Sequence, residues 1–376
     1  MTKIEKIYRF LEKHKNLPAQ RTKEWYQARI GRFGGSELHN IVNLKHSNIN
    51  TFVNNFLYYK IANRGNPFIF PCVFGNIFEN EIKNLTEYNF KTKIYETGSI
   101  PYDKLKSVSY SPDGLGIVDD KIVLFEFKCP ISREINKNKI KFEYLMQVNS
   151  GLHVLEEVID EKALYIEAEF KKCTLNDLLN NNTFDKIFHN KFLNRDFSEL
   201  YKHFGMILIY ETGSEIYHGF EYPDVIDYGD ATFVEMETLF FNIHKKKFNC
   251  MYLSDVVNDL IEAGNKDEIL SKFIKVEQKT ESFSLQELEY LKNILIEACV
   301  KDREGIPLYL LPWKCFNYNI IEVKKNNEFF SSELKEKCIY FAHIVKYIVH
   351  LNEKKNMNEN EIKELLMKYT KEYLKE

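Results

Sequence analysis

Apolar and polar positions along this 376-residue chain fall into a readable order of periods. Ile4, Ile7, Tyr8 and Leu11 share one side of a short amphipathic helix predicted over residues 1–16. A second helical stretch runs from Arg21 to Gly31 and is ended by glycine, after which Gly34-Gly35-Ser36-Glu37 opens a further helix toward Val42. Phe74, Phe78, Ile82 and Leu85 make the buried stripe of a helix predicted over 76–88, with Glu79 and Glu81 flanking it; the spacing chooses neither, and the default for both is a solvated face. The period then shortens to that of strands near 93–100, 106–111, 115–119 and 121–128. A helix over 142–155 carries Tyr144 and Gln147, and a strand follows at 162–170. Helix, strands, helix and strand in this order make an α/β sandwich around a mixed sheet. From about 171 to 204 the chain turns polar and rich in Asn, Asp and Lys, as an insertion would, before Met206–Tyr210 resumes a strand. Helices are predicted near 233–263, 285–301, 331–352 and 358–375, and the two prolines of Pro307–Phe316 predict an extended segment packed on the core.

The run Ile122-Val123-Leu124-Phe125 ends in Glu126-Phe127-Lys128, and shortly before it stands the turn Ser111-Pro112-Asp113-Gly114. Alternation sends Glu126 and Lys128 to one face while Phe125 and Phe127 take the other. Two opposite charges at the end of so apolar a strand are costly to bury unless they are paired or bound to a metal. Hydrolysis of a phosphodiester uses such a set: carboxylates of Asp113 and Glu126 hold a hard divalent cation, which polarises the phosphoryl oxygen and sharpens a bound water. The Phe127 carbonyl, exposed at the strand end, is a natural additional oxygen ligand. Lys128 would orient that water or help to deprotonate it, its pKa pushed down by partial burial and the neighbouring cation. Against this stand plainer readings, a Pro-Asp-Gly turn and a solvated Glu-x-Lys pair; the combination favours a site.

Composition narrows the class. With 44% hydrophobic residues, 29 Phe and 23 Tyr, the chain can bury one large core or two ordinary ones. Seven cysteines without a Cys-x-x-Cys pair argue against a zinc site and a disulfide framework and suit a reducing, intracellular compartment. No signal pattern or membrane-spanning apolar run is evident. A net charge of −3 rules out an argument for nucleic-acid binding from bulk basicity, leaving local patches at Arg133, Lys137, Lys139 and Lys141 and at Lys245-Lys246-Lys247.

The order of motifs carries a resemblance. Trp25 with Arg29, Gly31 and Ser36, then Phe74-Gly75 with Glu79, Ser111-Pro112-Asp113-Gly114-Leu115, Glu126-x-Lys128-Cys129-Pro130 and Tyr144-x-x-Gln147 together resemble the bacteriophage lambda exonuclease family, the YqaJ-like viral recombinase domain of the PD-(D/E)xK nucleases, over roughly residues 21–170. The resemblance implies a restriction-endonuclease-like core with a central mixed β-sheet flanked by helices. On that basis the core spans 1–220 and a largely helical C-terminal extension, packed on it, spans 221–376. It also implies Asp113 and Glu126 as metal ligands, Glu79 as a further ligand or water-mediated contact, Lys128 as the residue that activates water and Gln147 as support from the neighbouring helix. Arg29, Ser36 and Ser111 would hold a 5′-terminal phosphate. Where family members often have Thr-Ala-Ser this chain has Gly34-Gly35-Ser36, so one hydroxyl donor is missing. That pattern, the insertion and the Leu-Pro-Trp-Lys segment look more like the exonucleases of large eukaryotic DNA viruses, which would place the protein in the host cytoplasm.

The implied activity is a 5′-to-3′ exonuclease on double-stranded DNA ends, dependent on Mg2+ at two ions, with Mn2+ able to substitute, that releases 5′-mononucleotides and leaves 3′ single strands for recombination, repair or replication. Implied partners are DNA ends, a single-strand annealing protein and further copies of the chain in a homo-oligomer, with no membrane. The alternatives are a structure-specific endonuclease on the same fold and a non-catalytic DNA-end-binding protein.

Overall fold

A computed structural model describes residues 1–18, 22–62, 67–131, 133–136, 138–179, 189–190, 195–196, 204–212, 225–262, 285–302 and 305–375. The N-terminal part holds α1 (Lys3–His14), α2 (Lys23–Ala28), β1 (Phe33–Gly34), α3 (Leu38–Val42), α4 (Ile49–Phe52), α5 (Tyr58–Ala62) and the long α6 (Phe70–Phe90). Strands β2 (Ile100–Pro101), β3 (Val108–Tyr110), β4 (Gly114–Val118) and β5 (Lys121–Lys128) follow, then α7 (Phe142–Val154) and β6 (Lys162–Lys172). After α8 (Leu175–Leu179) come the paired β7 (His189–Asn190) and β8 (Arg195–Asp196), then β9 (Phe204–Thr212), β10 (Ile226–Asp227), α9 (Phe233–His244), β11 (Phe248–Tyr252) and α10 (Leu253–Glu262). The chain closes with α11 (Leu285–Asp302), β12 (Gly305–Lys324), α12 (Ser332–Lys355) and α13 (Glu359–Tyr373). Most of the expected insertion at 171–204, and Arg21 and Lys137, lie outside the described residues.

The central sheet is mixed, in the order β11-β9-β12-β6-β5-β4, with β10 added beside β12 and helices on both faces. β4 and β5 form an antiparallel hairpin, whereas β5 and β6 run parallel, as strands joined through a crossover helix such as α7 can. The alternation read from β5 is realised. Val123, Phe125 and Phe127 pack toward α6 and α9, while Ile122 and Leu124 join the opposite core with α3, α7 and α12. A third core gathers β9, α10 and α11. A small sheet, β1-β3-β2, carries the chain into the turn before Asp113.

Three elements depart from expectation. The described residues beyond 220 are mostly helical, but they also supply β12 to the middle of the sheet, so they are part of the core as well as packed on it. The predicted extended segment is the first half of this strand. Its prolines are tolerated because the ladder is broken by a bulge between Pro307 and Tyr309, and because Pro312 stands one residue before β12 begins to pair with β6. The single helix expected over 233–263 is divided by β11, whose Phe248–Tyr252 pairs with β9. The strand expected over 93–100 is reduced to a bridge from Tyr95 to Leu115 and the short β2. No helix among the described residues is long and apolar enough to cross a membrane.

Candidate active site at the end of β5

The β4–β5 hairpin pairs Gly114 with Phe125, and continuing that register by one residue sets Asp113 across from Glu126 on the same face. Glu126 is fully buried. Its Oε1 accepts from the Lys128 ammonium and its Oε2 from the hydroxyl of the equally buried Tyr110. Asp113 is half-buried, and its Oδ2 accepts the Phe127 N–H at 2.8 Å. The two carboxylates predicted to share an ion therefore stand side by side at the strand end. Glu79 approaches from α6, and its charge acts on Asp113.

Electrostatics report the crowding. Burial first, then the charges of Glu126 and Glu79, push the Asp113 carboxyl well above its usual range, and Lys128 and the Phe127 amide offset this only in part. Burial and the adjacent carboxylates likewise raise the Tyr110 phenol. Lys128 reverses the expected sign. Burial lowers its pKa, but Glu126 and Asp113 outweigh burial and raise it above the ordinary lysine value. The Lys128 Nζ lies 5.4 Å from the Tyr144 ring centroid.

Hard oxygen donors that repel one another in a partly dry corner suit a divalent cation of the Mg2+ or Mn2+ type, so the Asp113 and Glu126 pair fits the expected ion. Among the described residues no three His, Cys, Asp or Glu side chains come together closely enough to enclose an ion. Gln147 is half-buried on α7, where its backbone carbonyl packs close to Gly35.

The residues expected at a terminal phosphate form a second group beside the first. Trp25 Nε1–H donates to Ser111 Oγ at 3.4 Å, and the Arg29 guanidinium lies 4.2 Å from the Trp25 ring centroid. Ser36 is exposed on the turn after β1, next to Glu37. Glu37 was not foreseen as part of the site, yet its Oε2 accepts from Arg29 Nη2 at 3.0 Å, Lys60 Nζ at 2.7 Å and Gly34 N–H at 2.6 Å. Burial raises the Glu37 carboxyl, but Lys60 and Arg29 together bring it below the usual value. Ser111, two residues before Asp113, joins the two groups.

Other residues fall differently from their reading in sequence. Glu81 is not a solvated helix glutamate: it is 3% exposed, one oxygen has no hydrogen-bond partner, and burial together with Asp255 pushes its carboxyl to about 8. Arg133, expected in a DNA-facing patch, pairs with the buried Glu167, which also accepts from the Tyr165 hydroxyl at 2.6 Å. Lys139, Lys141 and Lys245-Lys246-Lys247 are exposed. Tyr110 could have been suspected from its place beside Ser111. Lys60 could not, because only tertiary folding brings it to Glu37.

Residues 24–157 match the family described as YqaJ-like viral recombinase domain. A curated African swine fever virus protein from the Vero-adapted Badajoz strain is 28% identical over 204 residues, covering 46% of this chain and 56% of its own length. Its counterpart in a tick isolate from Malawi is 29% identical over 202 residues, covering 45% and 55%. The chain thus spans about half the length of the curated relatives it matches. Among solved structures, an alkaline exonuclease from Laribacter hongkongensis is 21% identical over 39% of this chain and 74% of its own, with a TM-score of 0.33. Its complex with dAMP is 20% identical, at the same TM-score.

Proposed function

We propose that this chain, whose residues 24–157 match the YqaJ-like viral recombinase domain, is a member of the lambda exonuclease family and a deoxyribonuclease degrading double-stranded DNA from 5′ ends. The reading adds Mg2+ dependence, release of 5′-mononucleotides and a remaining 3′ single strand for recombination, repair or replication. The observation that carries it is the cross-strand pair Asp113 and Glu126 with the Lys128 ammonium at their side.

A divalent cation held by Asp113, Glu126 and the Phe127 carbonyl, with Glu79 as outer contact, would polarise the scissile phosphate and acidify a water. Everything else falls to the chain's own groups. Tyr110 fixes one oxygen of Glu126, so that the carboxylate cannot rotate away. Lys128, held charged, orients the attacking water and stabilises negative charge on the phosphoryl oxygens as it grows. Gln147 supports the site from α7. Arg29, Ser36 and Ser111 receive the terminal phosphate, which sets the scissile bond in register with the carboxylates. The same reading assigns a single-strand annealing protein and a homo-oligomer as partners, and the host cytoplasm as the compartment.

The test is a time course on linear duplex labelled at either end, beside covalently closed circles, with Mg2+ omitted and restored. The proposal expects Mg2+-dependent loss from 5′ ends and intact circles, with Asp113→Ala binding DNA but not cutting it. Cutting of closed circles would favour the endonuclease alternative, and DNA binding without any cleavage the end-binding one.

A further inference from the structure

Glu37 is the hub of a charged cluster that no motif announced. A single oxygen receives three donors, from Lys60, Arg29 and the Gly34 amide. Lys60 is itself deeply placed, its side chain 10% exposed, and it also donates to the Arg32 carbonyl at 2.9 Å. Arg29 is thereby fixed on two sides, by the Trp25 ring and by Glu37. The trio of two cations and one carboxylate keeps a net positive charge, which suits an incoming anion. A guanidinium fork recognises phosphate by direction as well as charge, so its orientation decides how well it reads one.

Gly34 belongs to the same cluster. A Cβ built at this position would fall 2.3 Å from Arg29 Nη2 and 3.2 Å from Glu37 Oε2. The backbone there has φ −71°, open to any residue, so it is the space that calls for glycine and not the conformation. Without a side chain, Gly34 leaves that room to the Arg29–Glu37 contact.

We propose that Lys60 and Glu37 are positioning residues that hold Arg29 for a 5′-terminal phosphate, with Gly34 leaving the space, so that selectivity for phosphorylated ends runs through a buried lysine. This rests on the reading of Arg29 as a phosphate ligand. The experiment compares kcat and KM on linear duplexes bearing 5′-phosphate or 5′-hydroxyl ends for the wild type and for Lys60→Met, Lys60→Arg, Gly34→Ala and Arg29→Ala. In Lys60→Met and Gly34→Ala the ratio of kcat/KM between the two ends should fall roughly tenfold, as loss of one charge-assisted contact implies, and through KM. Lys60→Arg, which keeps the charge, should restore most of the ratio. Gly34→Ala leaves the Lys60–Glu37 pair in place and decides the matter alone should Lys60→Met fail to fold. Equal losses on both ends in these variants, with the ratio kept, would show a merely structural role and overturn the inference. If Arg29→Ala abolishes the ratio while Lys60→Met and Gly34→Ala retain it, the inference fails and the phosphate reading stands. If the wild type shows no ratio, or Arg29→Ala keeps it, both fall.

Discussion

Replacing Lys128 by Met should unmask the charge problem that the strand end contains. Glu126 is fully buried, and its Oε1 loses the ammonium it accepts from, while Asp113 loses the cation that offsets burial and the two neighbouring carboxylates. Removing one partner of a buried ion pair costs about 3–5 kcal/mol. The Tyr110 hydroxyl still serves Oε2, which argues for the lower end, about 3 kcal/mol. At a urea m-value of about 3 kcal/mol/M, that is a midpoint lower by about 1 M in the transition that unfolds the sheet. The experiment is urea unfolding of wild type and Lys128→Met in EDTA and in saturating Mg2+. An ion that pairs the carboxylates in place of the lost ammonium should bind the variant more tightly than the wild type, and a Kd lower by about thirtyfold would, at saturating Mg2+, shrink the gap by about 2 kcal/mol, to about 1 kcal/mol or less. Cleavage should be lost in the variant even where Mg2+ restores its stability. A gap in EDTA under about 1 kcal/mol, or one that Mg2+ leaves unchanged, would refute the reasoning.

Tyr110→Phe should cost about 2 kcal/mol in thermal or urea unfolding, because it leaves a buried carboxylate oxygen of Glu126 without its donor; a neutral result would mean that Tyr110 only fills space. Gly151→Ala sets two effects against each other. A Cβ there would lie 2.6 Å from the Tyr110 ring and 2.7 Å from Leu124, an overpacking of about 1–3 kcal/mol that should outweigh the gain of about 1 kcal/mol from alanine in helix α7. Net destabilisation by calorimetry is expected, and a raised Tm would contradict it. His153 is held below its ordinary pKa, first by burial, and its Nε2 bonds the Asn326 carbonyl at 2.8 Å. Its stabilising contribution is therefore complete above the unfolded value of about 6.5 and is lost as pH falls through the lower folded value. The stability difference between wild type and His153→Gln should shrink on acidification from pH ~8 to pH ~5.5; a difference independent of pH would remove His153 from the account.

Much of the site is legible in sequence because its signals are local. Alternation along 121–128 is enough to put Glu126 and Lys128 on one face, and the turn before β4 sets Asp113 one step from a paired position. The tertiary part is not local. Lys60 meets Glu37 across 23 positions, and Glu81 is buried because α10 brings Ser254 and Asp255 against α6. The sign of the Lys128 shift could not be read either: burial is visible in a pattern, but the balance of burial against two carboxylates depends on distance. In the fold, proline statistics underplayed β12, since Pro307 sits at a bulge and Pro312 just before pairing with β6 begins. Short β11 was hidden between two helical periods.

Binding of Mn2+ followed by loss of its free-ion EPR signal, in wild type, Asp113→Asn and Glu126→Gln, tests the shared-cation claim most directly. Saturable binding by the wild type, weakened at least tenfold by either substitution as loss of one charged ligand implies, is the expected result. Equal Mn2+ binding by all three proteins would contradict it.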